Sequence, residues 1–156
     1  PVGTYKVLAA LENDDLVRDP DESIAGTNIV EVEVVAGEGI DLSEGFKVTE
    51  ALVVESPGKD GPEEVQGTPV FVFEDDSSED FYDVVVHDAH GNEVWRDDAV
   101  PGVSGETFVN VEYGGPALED GMYYRFRATS MKESGNQDPT ALSRTEDLRG
   151  VFIWRP

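Results

Sequence analysis

The densest chemical potential in this chain lies in Glu74-Asp75-Asp76-Ser77-Ser78-Glu79-Asp80, five carboxylates within seven positions. Oxygens converging from such a loop suit Ca²⁺, which takes six to eight oxygen ligands at about 2.3–2.6 Å. Asp75, Asp76, Glu79 and Asp80 are the candidate ligands, although the Gly-spaced Asp pattern of an EF-hand is missing. A solvated acidic turn is the competing reading and needs no ion. Glu12, Asp14, Asp15, Asp19, Asp21 and Glu22 form a second acidic group with the same two readings. His87 and His90 stand three apart with Asp88 between them. Two histidines fall short of the three protein ligands of a catalytic zinc site, so a strand histidine and a turn histidine account for them.

Catalytic patterns are absent. There is no His-Glu-x-x-His, no Gly-rich phosphate loop and no Gly-x-Ser-x-Gly elbow. Paired carboxylates perform glycoside hydrolysis only when they face one another across a sugar-sized cleft, and 34 acidic residues make chance pairs common. The expectation is a protein that is not an enzyme.

A different surface follows from strand alternation. If Tyr124, Phe126 and Ala128 point into a core, Tyr123, Arg125, Arg127 and Thr129 point out of the same strand. A neighbouring strand over residues 81 to 88 would add Asp83, Val85 and His87. The last strand would add Phe152 and Trp154 if Val151 and Ile153 are core. Arg125, Arg127, His87, Phe152 and Trp154 thus form a candidate ligand or partner face, suited to stacking on sugars or gripping an acidic neighbour. Ion pairing of either arginine with Asp83, and burial against the first part of the chain, is the bland alternative.

The background to that face is acidic. Eleven basic residues stand against 34 acidic ones, a formal charge of -23 over 156 residues. Such a charge repels phosphate backbones and anionic membrane surfaces, and leaves cations, basic surfaces or uncharged polymers as partners. Without cysteine there is neither a disulfide framework nor a thiolate metal site. No apolar run approaches the roughly 18 residues of a membrane span, so direct membrane insertion is not expected. The chain opens on Pro1 and enters a strand-like run at once, which reads as a processed or truncated piece of an exported protein.

Short runs of Val, Thr and aromatic residues alternate with polar ones between Gly, Pro, Asp and Asn, the pattern of β-strands joined by turns. The runs fall at residues 4 to 11, 28 to 36, 46 to 55, 69 to 74, 81 to 88, 93 to 96, 107 to 113, 122 to 130 and 150 to 155. Residues 12 to 27, 56 to 68, 97 to 106 and 131 to 148 read as loops. No stretch carries helical periodicity, so helix content is small. Residues 81 to 96 predict a hairpin with its turn at Ala89-His90-Gly91-Asn92 and with Tyr82, Val84 and Val86 facing inward. The domain boundary is expected near residue 48, giving an N-terminal β segment over 1–47 and a β-sandwich over 48–156.

Ser56-Pro57-Gly58, Pro69-Val70-Phe71-Val72-Phe73-Glu74 and the hairpin ending at Trp95 resemble the fibronectin type III and immunoglobulin-like sandwiches of bacterial surface proteins. The sharpest likeness is Leu118-Glu119-Asp120-Gly121-Met122-Tyr123-Tyr124, a leucine, a glycine turn and a tyrosine six residues after the leucine. In these folds a buried tyrosine so placed bonds back to the corner's backbone. The chain departs from fibronectin modules in having Phe73 where a second-strand tryptophan is usual and in lacking Arg-Gly-Asp, so integrin-type adhesion is not implied. Gly3-Thr4-Tyr5-Lys6-Val7 resembles the closing strands of a carboxypeptidase regulatory-like, prealbumin-type domain. The combination is similar to secreted lipoproteins on the outer surface of Gram-negative bacteria.

The resemblance implies an all-β fold at the cell surface and says little of a ligand. The first functional expectation is a non-catalytic structural or assembly module of a surface protein or filament, meeting protein partners or other copies of itself. The second is a Ca²⁺-assisted carbohydrate- or protein-binding adhesion module. An accessory domain of a secreted hydrolase is the third.

Overall fold

The computed structural model describes residues 1–7, 11, 14–42 and 45–156. Among them every regular element is a β-strand. Residues 8 to 10 of the first expected strand, and Glu12 of the second acidic group, lie outside the described residues.

The centre of the molecule is a sandwich. One sheet has three antiparallel strands in the order β10-β7-β5, where β5 is Val54–Ser56, β7 is Val70–Glu74 and β10 is Phe108–Glu112. The other has six: β6 (Glu63–Gln66), β13 (Val151–Arg155), β11 (Tyr123–Ser134), β8 (Phe81–Asp88) and β9 (Glu93–Pro101) run side by side, and β12 (Gln137–Arg144) also pairs with β11. All neighbours are antiparallel except β6 and β13.

Alternate residues of facing strands fill the space between the sheets. Phe71 and Phe73 come from one side, and Tyr82, Val84, Val86, Phe126, Ala128 and Phe152 from the other, all without solvent exposure. Phe71 stacks on Phe126 with ring centroids 4.7 Å apart, and Phe73 meets Tyr82 edge-on at 5.0 Å. Tyr82, Val84 and Val86 face inward and β8 pairs with β9, as the hairpin pattern predicts.

The long strand β11 organises the six-stranded sheet. Its first residues, Tyr123 to Arg125, pair with β13, and its later ones, Thr129 to Ser134, pair with β12 on the same edge. Between β12 and β13 the chain leaves the sheet at Thr145 and returns at Gly150, with Thr145 N–H donating to Ala128 O at 2.9 Å and Phe126 N–H donating to Gly150 O at 3.0 Å. Gly150 has φ +72°, and a Cβ there would lie 2.6 Å from Phe126 O, so only glycine fits the return. Residues 146 to 149 therefore swing out beside β11.

Strands β2 (Leu16–Arg18) and β4 (Val48–Glu50) make a small antiparallel sheet tied to the end of β12. Asp14 N–H donates to the buried Glu146 carboxylate at 2.9 Å, Leu52 N–H donates to Arg144 O at 3.0 Å, and Ser143 Oγ donates to Glu50 O. The passage from N-terminal segment to sandwich thus runs through residues 51 to 53. Strands β1 (Gly3–Val7) and β3 (Val30–Val34) form a separate two-stranded ribbon and pack extensively only on one another. Their register puts Tyr5 opposite Val32 and Val7 opposite Val30 on one face, with Lys6 opposite Glu31 and Thr4 opposite Glu33 on the other.

Candidate functional site

The outer face of the six-stranded sheet carries the arginines. On β11, Tyr124, Phe126 and Ala128 are buried, so Arg125, Arg127 and Thr129 project to the other side. Pairing sets Arg125 opposite His87, Arg127 opposite Val85 and Thr129 opposite Asp83 on β8, and Thr129 opposite Arg144 on β12. Val85 is only 6% exposed although it faces outward. It lies between Arg127 and Arg96 on the two flanking strands.

Ion pairing on this face is uneven. Asp83 and Glu93 both serve Arg96, at 2.5 and 2.8 Å. Asp147, on the excursion between β12 and β13, serves both Arg125 and Arg127: its backbone carbonyl accepts from Arg125 at 2.9 Å and its carboxylate pairs with Arg127. Asp83 is therefore not the partner of Arg125 or Arg127, and the excursion supplies that partner instead. Arg144 has no hydrogen-bond or ion-pair partner among the described residues. Arg18 on β2 lies over the Phe46 ring at 5.5 Å and donates to Thr27 O, and it lines a cleft of about 480 Å³ with Arg144.

The electrostatics follow from this crowding. Burial, with Arg125 and Arg144 nearby, lowers the Arg127 guanidinium to about 10. Arg125 is lowered by burial, and Arg144 by burial with Arg18 and Arg125. His87 is held below the ordinary imidazole value by burial first and by Arg125 and Arg127 next. The Nε of Arg18, the Nε of Arg127 and His87 Nδ1 are buried without a hydrogen-bond partner among the described residues. Asp83 is raised by burial despite Arg96, and one of its oxygens is likewise unpartnered.

Phe152 and Trp154 are not on this face. The register Tyr124 to Phe152 turns Phe152 inward, where it stacks on Tyr124 at 5.6 Å with no exposure. Trp154 has the same parity, packs against the core, and donates from Nε1 to Gly67 O at 2.8 Å. Val151 and Ile153 point outward instead. The expected aromatic platform is absent from the arginine face, and Tyr123, 47% exposed, is the aromatic beside Arg125 there.

The acidic loop is engaged internally. Tyr82 Oη donates to Asp75 at 2.8 Å and accepts from Asp76 N–H at 2.6 Å. Ser130 Oγ donates to Asp76 at 2.9 Å, while Asp80 accepts from Lys132 Nζ at 3.0 Å and from Glu133 N–H at 2.9 Å. Glu79 is raised by burial first, then by repulsion from Asp75 and Asp76. Asp75, Asp76, Glu79 and Asp80 do not converge, and no cluster of three potential metal ligands occurs among the described residues. His90 sits at the hairpin turn, its N–H donating to Asp88 at 2.9 Å, and is no partner for His87.

The ribbon is the other unusual surface. Tyr5 is 40% exposed, and Ile29, Val35, Ile40 and Leu42 are also exposed large apolar side chains in the first 42 residues. Val30, Val32 and Val34 lie on one face of β3, half-buried. Arg18 and Arg144 were missed, since both fall in stretches whose composition reads as loop. No family model, curated protein or solved structure matches the chain.

Proposed function

We propose that this protein is a non-catalytic assembly module of an extracellular or cell-surface protein or filament. The observation that carries this reading is the apolar face of the β1–β3 ribbon, where Tyr5 is exposed, Val7, Val30, Val32 and Val34 are half-buried, and no further strand packs extensively among the described residues. An isolated two-stranded ribbon is at best marginally stable in water, and needs a further layer on its hydrophobic face. The ribbon's pattern, apolar on Tyr5, Val7, Val30, Val32 and Val34 and polar on Thr4, Lys6, Glu31 and Glu33, is that of a sheet covered on one side. A protein neighbour supplies that cover, and another copy of the chain is the first neighbour to test.

Other features agree with this reading. The corner at Tyr124 and the order of β5, β7 and β10 against β9, β8, β11 and β13 support kinship with fibronectin type III and immunoglobulin-like modules.

Sedimentation velocity over a concentration series at 150 mM salt tests the reading. Assembly is expected to deepen with concentration, and to deepen further at 500 mM salt, where repulsion between chains of charge -23 is screened and apolar contact is not. The pair Tyr5→Ser and Val32→Ser is expected to return the chain to monomer. A wild-type monomer throughout the series, or assembly indifferent to the pair, would overturn self-assembly through the ribbon.

A further inference from the structure

We propose that the outer face of the six-stranded sheet, across Arg125, Arg127, Arg144 and Arg18, docks an extended acidic peptide segment of a protein partner, with carboxylates at alternate positions. Ile29, next to β3, also lines the cleft, but the proposal rests on the arginines and not on the apolar face of the ribbon.

The charge count comes first. Four guanidinium groups meet on this face and its adjoining cleft, and the acid paired with them is Asp147. Asp19 and Glu22 also line the cleft, but Asp19 is committed to Lys47 at 2.6 Å and Glu22 points into solvent. In a chain with only 11 basic residues, four of them lie together, where Arg125 and Arg144 disfavour the charge of Arg127, and Arg18 and Arg125 that of Arg144. An incoming carboxylate relieves that repulsion and gives Arg144, which has no hydrogen-bond or ion-pair partner among the described residues, an acid to pair with. Asp147 shows that the site accepts a carboxylate: one such group already spans Arg125 and Arg127.

Spacing selects an extended peptide. Residues at alternate positions of a strand lie about 6.7 Å apart, so Arg125 and Arg127 are followed about 13 Å from Arg125 by Thr129, with Arg144 opposite it and about 4.8 Å to the side on β12. An extended segment with acids at i, i+2 and i+4 has the same repeat. A sugar is less well served, because Phe152 and Trp154 face the core and leave Tyr123 as the aromatic beside Arg125. A long polyanion is disfavoured by the acidic envelope of the whole chain. For a short segment that envelope matters less, since charges beyond about 8 Å are screened at physiological ionic strength while a direct contact is not.

Fluorescence anisotropy on a dilute sample tests the proposal, with fluorescein-labelled (Glu-Ser)4 as probe and (Gln-Ser)4 as control, at 150 mM salt. The acidic probe is expected to bind and the neutral one not. Arg125→Gln and Arg144→Gln are each expected to weaken binding by about tenfold, with melting unchanged for Arg144→Gln, which breaks no ion pair. Asp147→Asn removes the internal competitor and is expected to tighten binding several-fold, an effect opposite in sign to general loss of structure. Absence of binding by wild type up to millimolar peptide, or equal binding by wild type and both arginine variants, would overturn the proposal. Because the readout is taken on dilute chain, its failure is distinct from failure of assembly through the ribbon.

Discussion

The hydroxyl of Tyr124 closes the turn that leads into its own strand, accepting the Glu119 N–H at 2.9 Å. The ring is buried, at 4% exposure, between the sheets, so its hydroxyl ties the turn at Gly121 to the core. Leu118 and Met122 pack on the same core from either side of that turn.

Tyr124→Phe keeps the ring and removes the acceptor. Because Glu119 is exposed and its N–H can turn to water, the cost is that of one ordinary hydrogen bond, about 1 kcal/mol. Chemical denaturation monitored by Trp fluorescence should show a lower midpoint with unchanged slope. A loss above about 3 kcal/mol would mean that the ring itself has moved, and no loss at all that the corner holds without the bond.

How far such features can be read from sequence depends on whether one face of a strand is visibly polar. Val30-Glu31-Val32-Glu33-Val34 and the Tyr124, Phe126, Ala128 series alternate cleanly, and the structure orients both as the alternation requires. Val151-Phe152-Ile153-Trp154 is apolar on both faces, so parity is undetermined by pattern and falls to register. Pairing of Tyr124 with Phe152 decides it, and that pairing depends on the return at Gly150.

The missed strands share a different cause. Glu63-Glu64-Val65-Gln66 is almost entirely polar, and is a strand because β13 offers it a free edge. In β12, Pro139 reads as a loop residue but lies on a strand that pairs only with β11, where a missing N–H is tolerated. The site was legible as far as it rested on β11 and β8. Asp147, Arg144 and Arg18 reach it from segments with no periodic signal, by long-range packing alone.

The acidic loop gives a prediction on metal. Asp75, Asp76 and Asp80 already accept hydrogen bonds from Tyr82, Ser130, Lys132 and Glu133, so an ion would have to displace several of these. Added at 5 mM, CaCl2 is expected to leave the melting temperature where the same concentration of MgCl2 leaves it. A rise specific to Ca²⁺ and saturable with concentration would show an ion bound to the folded state by mass action, and would revive the loop as a ligand set.

His87 supplies the pH prediction. It faces Arg125 and Arg127 on one side and Glu93 and Arg96 on the other, and the balance of burial and arginine charge favours the neutral ring. Its folded value lies below that of the unfolded chain, near 6.5, so on acidification the unfolded state takes up a proton first. The His87 contribution to stability is therefore complete well above pH 6.5 and is lost as pH falls from there toward the folded value. NMR titration should place the His87 ring below ordinary imidazole. Arg125→Gln should move it upward, as should saturation with the acidic peptide, because each removes or neutralises positive charge beside the ring. A His87 titration at the ordinary value in the wild type, unmoved by Arg125→Gln, would mean that the arginine does not act on it.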